Sequence, residues 1–290
     1  MRLFLLTALT MIAFAANSVL NRMALAGAGI DAASFGTIRL IAGAVMLGAL
    51  CALLRGGLDL RGPGRVAGVL SLLLYIYGFS AAYDVLDAGL GALILFGVVQ
   101  MTMFAGSLLA HEAIPPRRWI GAACAFSGLV WLLWPGAGPQ VSVLHGLFMA
   151  AAGIGWGIYS LAGRRSSDAL QGTAANFIIA APLGLLIGLG LPTGAGGTVM
   201  GAEGIVLAIL SGAVTSGLGY ALWYRVLPGL ASSVAAVTQL TVPVIAMAGG
   251  MIFLGENLSL QFVMAGALVL GGVAISVLPL QQMIRRSSGS

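Results

Sequence analysis

Ten runs of roughly 20 apolar residues fill almost the whole chain, and a helix of that length crosses the ~30 Å hydrocarbon core of a bilayer. The runs are Leu3–Leu20, Ala33–Leu54, Val66–Tyr83, Ala88–Ala110, Arg118–Pro135, Val141–Gly163, Gly172–Leu191, Gly204–Trp223, Gly229–Leu254 and Leu258–Leu280. Backbone groups in lipid must bond within their own segment, and these runs are too long for barrel strands. The expected fold is therefore all-α and integral to the membrane, with ten transmembrane helices and only short connections. Composition closes the other routes. Charged residues make up 7% of the 290 and hydrophobic ones 60%, too little charge to coat a soluble globule. The net charge of +5 comes from scattered arginines with no lysine, which does not build a nucleic-acid stripe. The expected partners are the lipid bilayer and a small-molecule substrate, with no nucleic acid; a homodimer is left open. Cys51 and Cys124 fall inside apolar runs and read as free thiols.

The arginines give the chain a direction. With the N-terminus inside, interior ends and loops carry Arg2, Arg55, Arg61, Arg65, Arg117, Arg118, Arg164, Arg165, Arg225, Arg285 and Arg286, while the exterior loops carry only Arg22. This positive-inside bias predicts a multi-pass protein of an inner (plasma) membrane with both termini cytoplasmic, and it supports an even number of spans.

The chain also repeats itself. A shift of about 142 residues places Phe14 on Trp156, Asn17 on Tyr159, Arg22 on Arg164 and Phe35 on Phe177. After small drifts Tyr83 meets Tyr224, Glu112 meets Glu256 and Pro135 meets Pro279. The expected organisation is residues 1–135 as a first five-helix repeat, 141–280 as a second, and 281–290 as a cytoplasmic tail. Five is odd, so the halves enter the membrane from opposite sides. Inverted repeats are a common build of secondary carriers, with the substrate site near the midplane between them.

Short motifs carry a family resemblance. Asn17 is followed by Arg22, Arg39 lies in the second span, and a glutamate follows each half's fourth helix in Leu108-Leu109-Ala110-His111-Glu112 and Phe253-Leu254-Gly255-Glu256-Asn257. Trp156 with Arg164-Arg165 resembles the start of a second repeat. Together these resemble the drug/metabolite transporter superfamily, EamA type. The resemblance implies a ten-helix basket that exports amino acids or other small metabolites. Gln100 stands where that family often has proline, whereas the second half keeps Pro243.

Candidate pathway residues are neutral: Asn17, Tyr75, Gln100, Trp156, Tyr159 and Gln239. Amides and tyrosine hydroxyls hydrogen-bond zwitterionic groups without a fixed charge, and rings accept apolar side chains. Tyr83, Tyr224, Trp119, Trp131 and Trp134 also suit an interfacial belt. Arg39 is the formal charge well inside a span, where it either contacts an anion or ties helices together; its repeat partner, Ala181, favours the structural role. Asp84 and Asp87 are expected to cap the turn between the third and fourth helices. Glu112, Glu256 and Pro243 are candidates for gating or coupling, with interfacial capping the plainer role of both glutamates. Gly153/Gly157 and Gly184/Gly188 are small-xxx-small pairs suited to close helix packing. No catalytic cluster or metal-ligand spacing is visible, so neither an enzyme nor a cofactor is expected. The expected function is export of small amphipathic metabolites by alternating access. The alternatives are a channel-like facilitator, or a carrier of anionic metabolites such as sugar phosphates, which would need several buried cations.

Overall fold

The apolar runs become helices in a computed structural model that describes residues 1–27, 29–111, 114–134, 142–163, 168–190, 200–230 and 238–277. In chain order they are α1 (Arg2–Gly27), α2 (Ala32–Arg55), α3 (Arg65–Tyr83), α4 (Ala88–Leu109), α5 (Pro116–Leu133), α6 (Val143–Gly163) and α7 (Ala169–Gly190). They continue with α8 (Ala202–Gly229), α9 (Thr241–Leu254) and α10 (Leu260–Val277). Seven of these, α1 to α4 and α6 to α8, are long and apolar enough to cross a membrane, and α9 and α10 are shorter apolar helices. Among the described residues the only extended pairing is an isolated bridge between Ile30 and Met200. Large apolar side chains such as Leu53, Leu109 and Leu189 face outward, as they would toward lipid. The segment 281–290 lies outside the described residues.

Three sequence expectations are corrected. α1 continues to Gly27 instead of ending at Leu20, because Met23-Ala24-Leu25-Ala26 are good helix formers. Arg22 is therefore a helical residue, not a loop residue. Its guanidinium donates to the carbonyls of Tyr83 at 3.2 Å and Asp84 at 2.8 Å. The ninth run is not one span from Gly229, since α8 closes there in a 3-10 turn. The helical backbone also breaks at Leu240, three residues before Pro243. The proline ring has no N–H to bond the Gln239 carbonyl, which is the usual reason for such a break. α8 is also irregular: Ser211–Leu218 is π-helical, an insertion that turns side chains out of register with the flanking α-helical turns.

Helix packing places the centre. α3 lies along α6 and α1 along α8; α4 meets α6 and α9 meets α1; α2 pairs with α7, α5 with α10 and α4 with α9. Small residues permit the closest approaches. A Cβ at Gly155 would sit 2.7 Å from the Ser71 carbonyl, so the backbones of α6 and α3 touch. Gly153 and Gly157 face Val98 and Thr102 on α4, and Gly184 and Gly188 face Leu40 and Thr37 on α2.

Candidate functional site

The deepest part of the bundle is held by polar side chains, which is costly in a membrane unless each finds a partner. Asn17 on α1 is the hub. Its carbonyl oxygen accepts from Ser211 at 2.6 Å and Thr215 at 3.0 Å, both in the π-helical stretch of α8, and its amide approaches the Tyr75 hydroxyl at 3.4 Å. Asn21, one turn on, donates to the Asn17 carbonyl at 2.9 Å and to Ser211 at 3.2 Å. Arg39 on α2 is fully buried. Its Nε donates to Ser216 at 3.1 Å and its Nη2 to Tyr75 at 2.8 Å. The same guanidinium lies 5.0 Å from the ring centres of both Tyr75 and Phe79.

Beside this network is a small cavity of about 20 Å³, room for roughly one water. Phe14, Asn17, Ser18, Tyr75, Phe79, Leu95, Phe96, Trp156, Thr215 and Tyr220 line it. Its walls are packed rings: Tyr75 and Trp156 at 5.0 Å, Trp156 and Tyr220 at 4.9 Å, and Phe14 and Tyr220 at 5.8 Å between centres. Trp156 also stacks on Tyr159 at 5.4 Å. Tyr159 in turn lines a second, open cavity of about 520 Å³. The Trp156–Tyr159 stack thus stands between the closed centre and this vestibule. Tyr224, Thr173 and Asn176 share the vestibule wall, with Asp59, Arg61, Arg65 and Asp168 around it.

The two ends of the bundle differ. At the vestibule end Arg55 pairs with Asp168 at 2.5 Å. Arg65 donates to the Gly172 carbonyl and to Asn176, both at 2.7 Å. Burial pulls the Asp168 carboxyl upward, but Arg55 and the backbone N–H groups of Gln171 and Leu170 outweigh it and hold it below the ordinary range. The opposite end is tied by bonds between helix ends. Arg22 ties α1 to the end of α3, and the Gly201 N–H donates to the Gly29 carbonyl at 2.7 Å beside the Ile30–Met200 bridge. Glu256 completes the seal by accepting the Ala88 N–H at 2.7 Å.

That contact has a local cause. Gly255 adopts a left-handed φ of 66° at the end of α9, and the Glu256 N–H bonds back to Gly250 at 3.2 Å, a glycine helix stop. This turn aims the carboxylate across the halves at the first N–H of α4. Asp87 occupies the N-cap position there but makes no capping bond, so the expected Asp87 cap is supplied instead by Glu256. Burial pushes the Glu256 carboxyl above the ordinary range, opposed by the Ala88 N–H and reinforced by Asp87.

The structure gathers some candidates and separates others. Asn17, Tyr75 and Trp156 meet at the central cavity, and Tyr159 stands at its border. Gln100 on α4 and Gln239 before α9 line neither cavity. Arg39 joins α2 to α3 and α8. Pro243 sits in the first turn of α9, and Glu112 lies outside the described residues. Tyr83 is no belt residue: it is fully buried and donates to the Ala88 carbonyl at 3.1 Å. Trp119 and Trp134 are exposed, as belt residues would be. Ser211, Thr215 and Ser216 are functional candidates that the sequence reading missed; hydroxyls four and five apart beside glycine in an apolar run were the available signal.

Comparison with known proteins adds three likenesses. The sequence profile of the EamA-like transporter family matches residues 144–278. An uncharacterized protein of Pseudomonas aeruginosa is 43% identical over 280 residues, which is 96% of this chain and 95% of its own. A solved crystal structure with 20% sequence identity superimposes with a TM-score of 0.63, covering 97% of this chain and 98% of its own. This last likeness concerns the fold alone.

Proposed function

The chain belongs to the EamA-like transporter family, within the drug/metabolite transporter superfamily, and on that premise we propose a secondary carrier that exports small amphipathic metabolites, foremost amino acids, by alternating access. It is a multi-pass membrane protein. In this reading ten helices form two inverted five-helix repeats in an inner membrane, with both termini and the vestibule on the cytoplasmic side. Helix packing supports the repeats: raising or lowering each helix number by five turns α3–α6 into α8–α1 and α4–α6 into α9–α1, and leaves α2–α7, α4–α9 and α5–α10 unchanged.

The observation that carries the mechanism is the asymmetry along one path. A vestibule of about 520 Å³ ends at the Trp156–Tyr159 stack, a small polar and aromatic pocket of about 20 Å³ follows, and at the far end Arg22 and Glu256 tie helix ends together. Substrate enters from the vestibule, displaces the stacked rings and occupies the pocket around Asn17, Tyr75 and Trp156. Rocking of the repeats then closes the vestibule and opens the far end.

Counterflow in proteoliposomes tests the reading. Radiolabelled leucine, phenylalanine, methionine and threonine are offered with and without unlabelled amino acid inside the vesicles. The carrier gives saturable uptake accelerated by internal substrate, and Trp156→Ala lowers it about tenfold at unchanged helix content. Uptake without trans-acceleration would indicate a channel, and no uptake would remove amino acids as substrates.

A further inference from the structure

Arg39 presents an unfinished electrostatic site. Its guanidinium carries five N–H donors and a charge that does not titrate away. Nε is used by Ser216 and Nη2 by Tyr75, but Nη1 is buried with no hydrogen-bond partner. No carboxylate among the described residues pairs with it. A membrane protein that needed only a strut between α2, α3 and α8 could use an amide there, with no buried charge left uncompensated. Where intramembrane cations occur, they pair with an acid or mark a substrate path.

The position fits the second role. Arg39 lies against the rings of Tyr75 and Phe79, both of which line the central cavity, and it shares the Tyr75 hydroxyl with Asn17. We propose that Arg39, which lies behind the cavity-lining rings of Tyr75 and Phe79, binds the carboxylate of the transported substrate once those rings are displaced. A single carboxylate neutralises the single cation and accepts the idle Nη1 donor. An ammonium group then meets ring faces of Tyr75, Trp156 and Tyr220, which attract cations without bearing charge. A phosphate dianion would leave an unmatched charge, so the anionic alternative narrows to carboxylates. This inference deepens the carrier reading and rests on it for the word transported.

Binding and flux separate the two claims. In a variant retaining Trp156 as its sole tryptophan, the Trp156 fluorescence is titrated with leucine, phenylalanine, methionine and threonine and then with their amides. Each free acid is expected to bind at least tenfold more tightly than its amide. Arg39→Lys keeps part of that preference, and Arg39→Gln abolishes it. The comparison of acid with amide needs no Arg39 variant, so misfolding of Arg39→Gln leaves the test intact. Equal affinity for acids and amides, or no response to any acid, overturns the assignment of Arg39. Acid-selective binding without counterflow upholds Arg39 as a carboxylate site and overturns the carrier reading. Counterflow that ignores the carboxylate does the reverse.

Discussion

The two ends of the bundle are tied by different chemistry. At the sealed end charged side chains bond to backbone: Arg22 to the Tyr83 and Asp84 carbonyls, and Glu256 to the Ala88 N–H. At the vestibule end Arg65 also bonds to backbone, at the Gly172 carbonyl, but the ion pair there is side chain to side chain, with Arg55 46% and Asp168 32% exposed. Backbone partners are held by their helices and lose little entropy when bonded, whereas an exposed pair must immobilise two side chains and is screened by salt. The Arg22 and Glu256 bonds should therefore help hold this conformation, and the exposed Arg55–Asp168 pair should contribute little to it.

The largest expected effect comes from breaking the sealed end. Removing Arg22 and Glu256 together (R22A/E256A) forfeits a helix cap and charged hydrogen bonds, about 2–3 kcal/mol in all. That corresponds to roughly a 30- to 150-fold shift in population. With Cys51 and Cys124 replaced by serine, a cysteine at buried position 88 (A88C) should react with an impermeant maleimide faster in this background by a similar factor. Unchanged reactivity would show that the seal lies elsewhere.

A smaller effect separates the ends by pH. The Glu256 carboxyl lies above the ordinary range in this conformation because of burial. The raised group favours its protonated form here, so acidification from neutrality through the raised value stabilises the sealed end, and the gain is lost again as pH rises. The Asp168 carboxyl is lowered, so its contribution stays constant over the same window and falls away only below the ordinary carboxylate range. Distances between spin labels at positions 85 and 200 should report a few-fold population change that Glu256→Gln removes.

The smallest effect belongs to the exposed pair. Arg55→Ala should shift the population at most about twofold away from the open vestibule, and less at high salt. Spin labels at positions 58 and 169 measure it. A shift as large as that of the Arg22/Glu256 double variant would reverse the ranking of the ends.

Much of the fold was legible because lipid imposes a strict rule on the backbone. Apolar runs marked the helices, although their ends were not marked. Arg22 looked like a terminator by its charge, yet α1 continues because that charge is spent on neighbouring carbonyls. The site was legible where polar or aromatic residues fell on inward faces, as with Asn17, Tyr75 and Trp156. Gln100 and Gln239 carried the same chemical signal, but their helices set them away from the cavities. Ser211, Thr215 and Ser216 could not be placed by α-helical periodicity, because they belong to a π-helical stretch that changes the register. Leu254-Gly255-Glu256 was legible as a motif, while its purpose needed three dimensions: the left-handed glycine aims the glutamate at α4. In the first half His111 also adopts a left-handed φ, of 55°.

Alternating access is tested most directly by measuring both ends in one preparation. Spin-label pairs at positions 85 and 200 and at 58 and 169 are followed by pulsed EPR in proteoliposomes, before and after addition of the amino acid that shows counterflow. A carrier predicts opposite changes: the first pair moves apart while the second closes, in matching populations. Ends that open together, or move independently of each other, would contradict it.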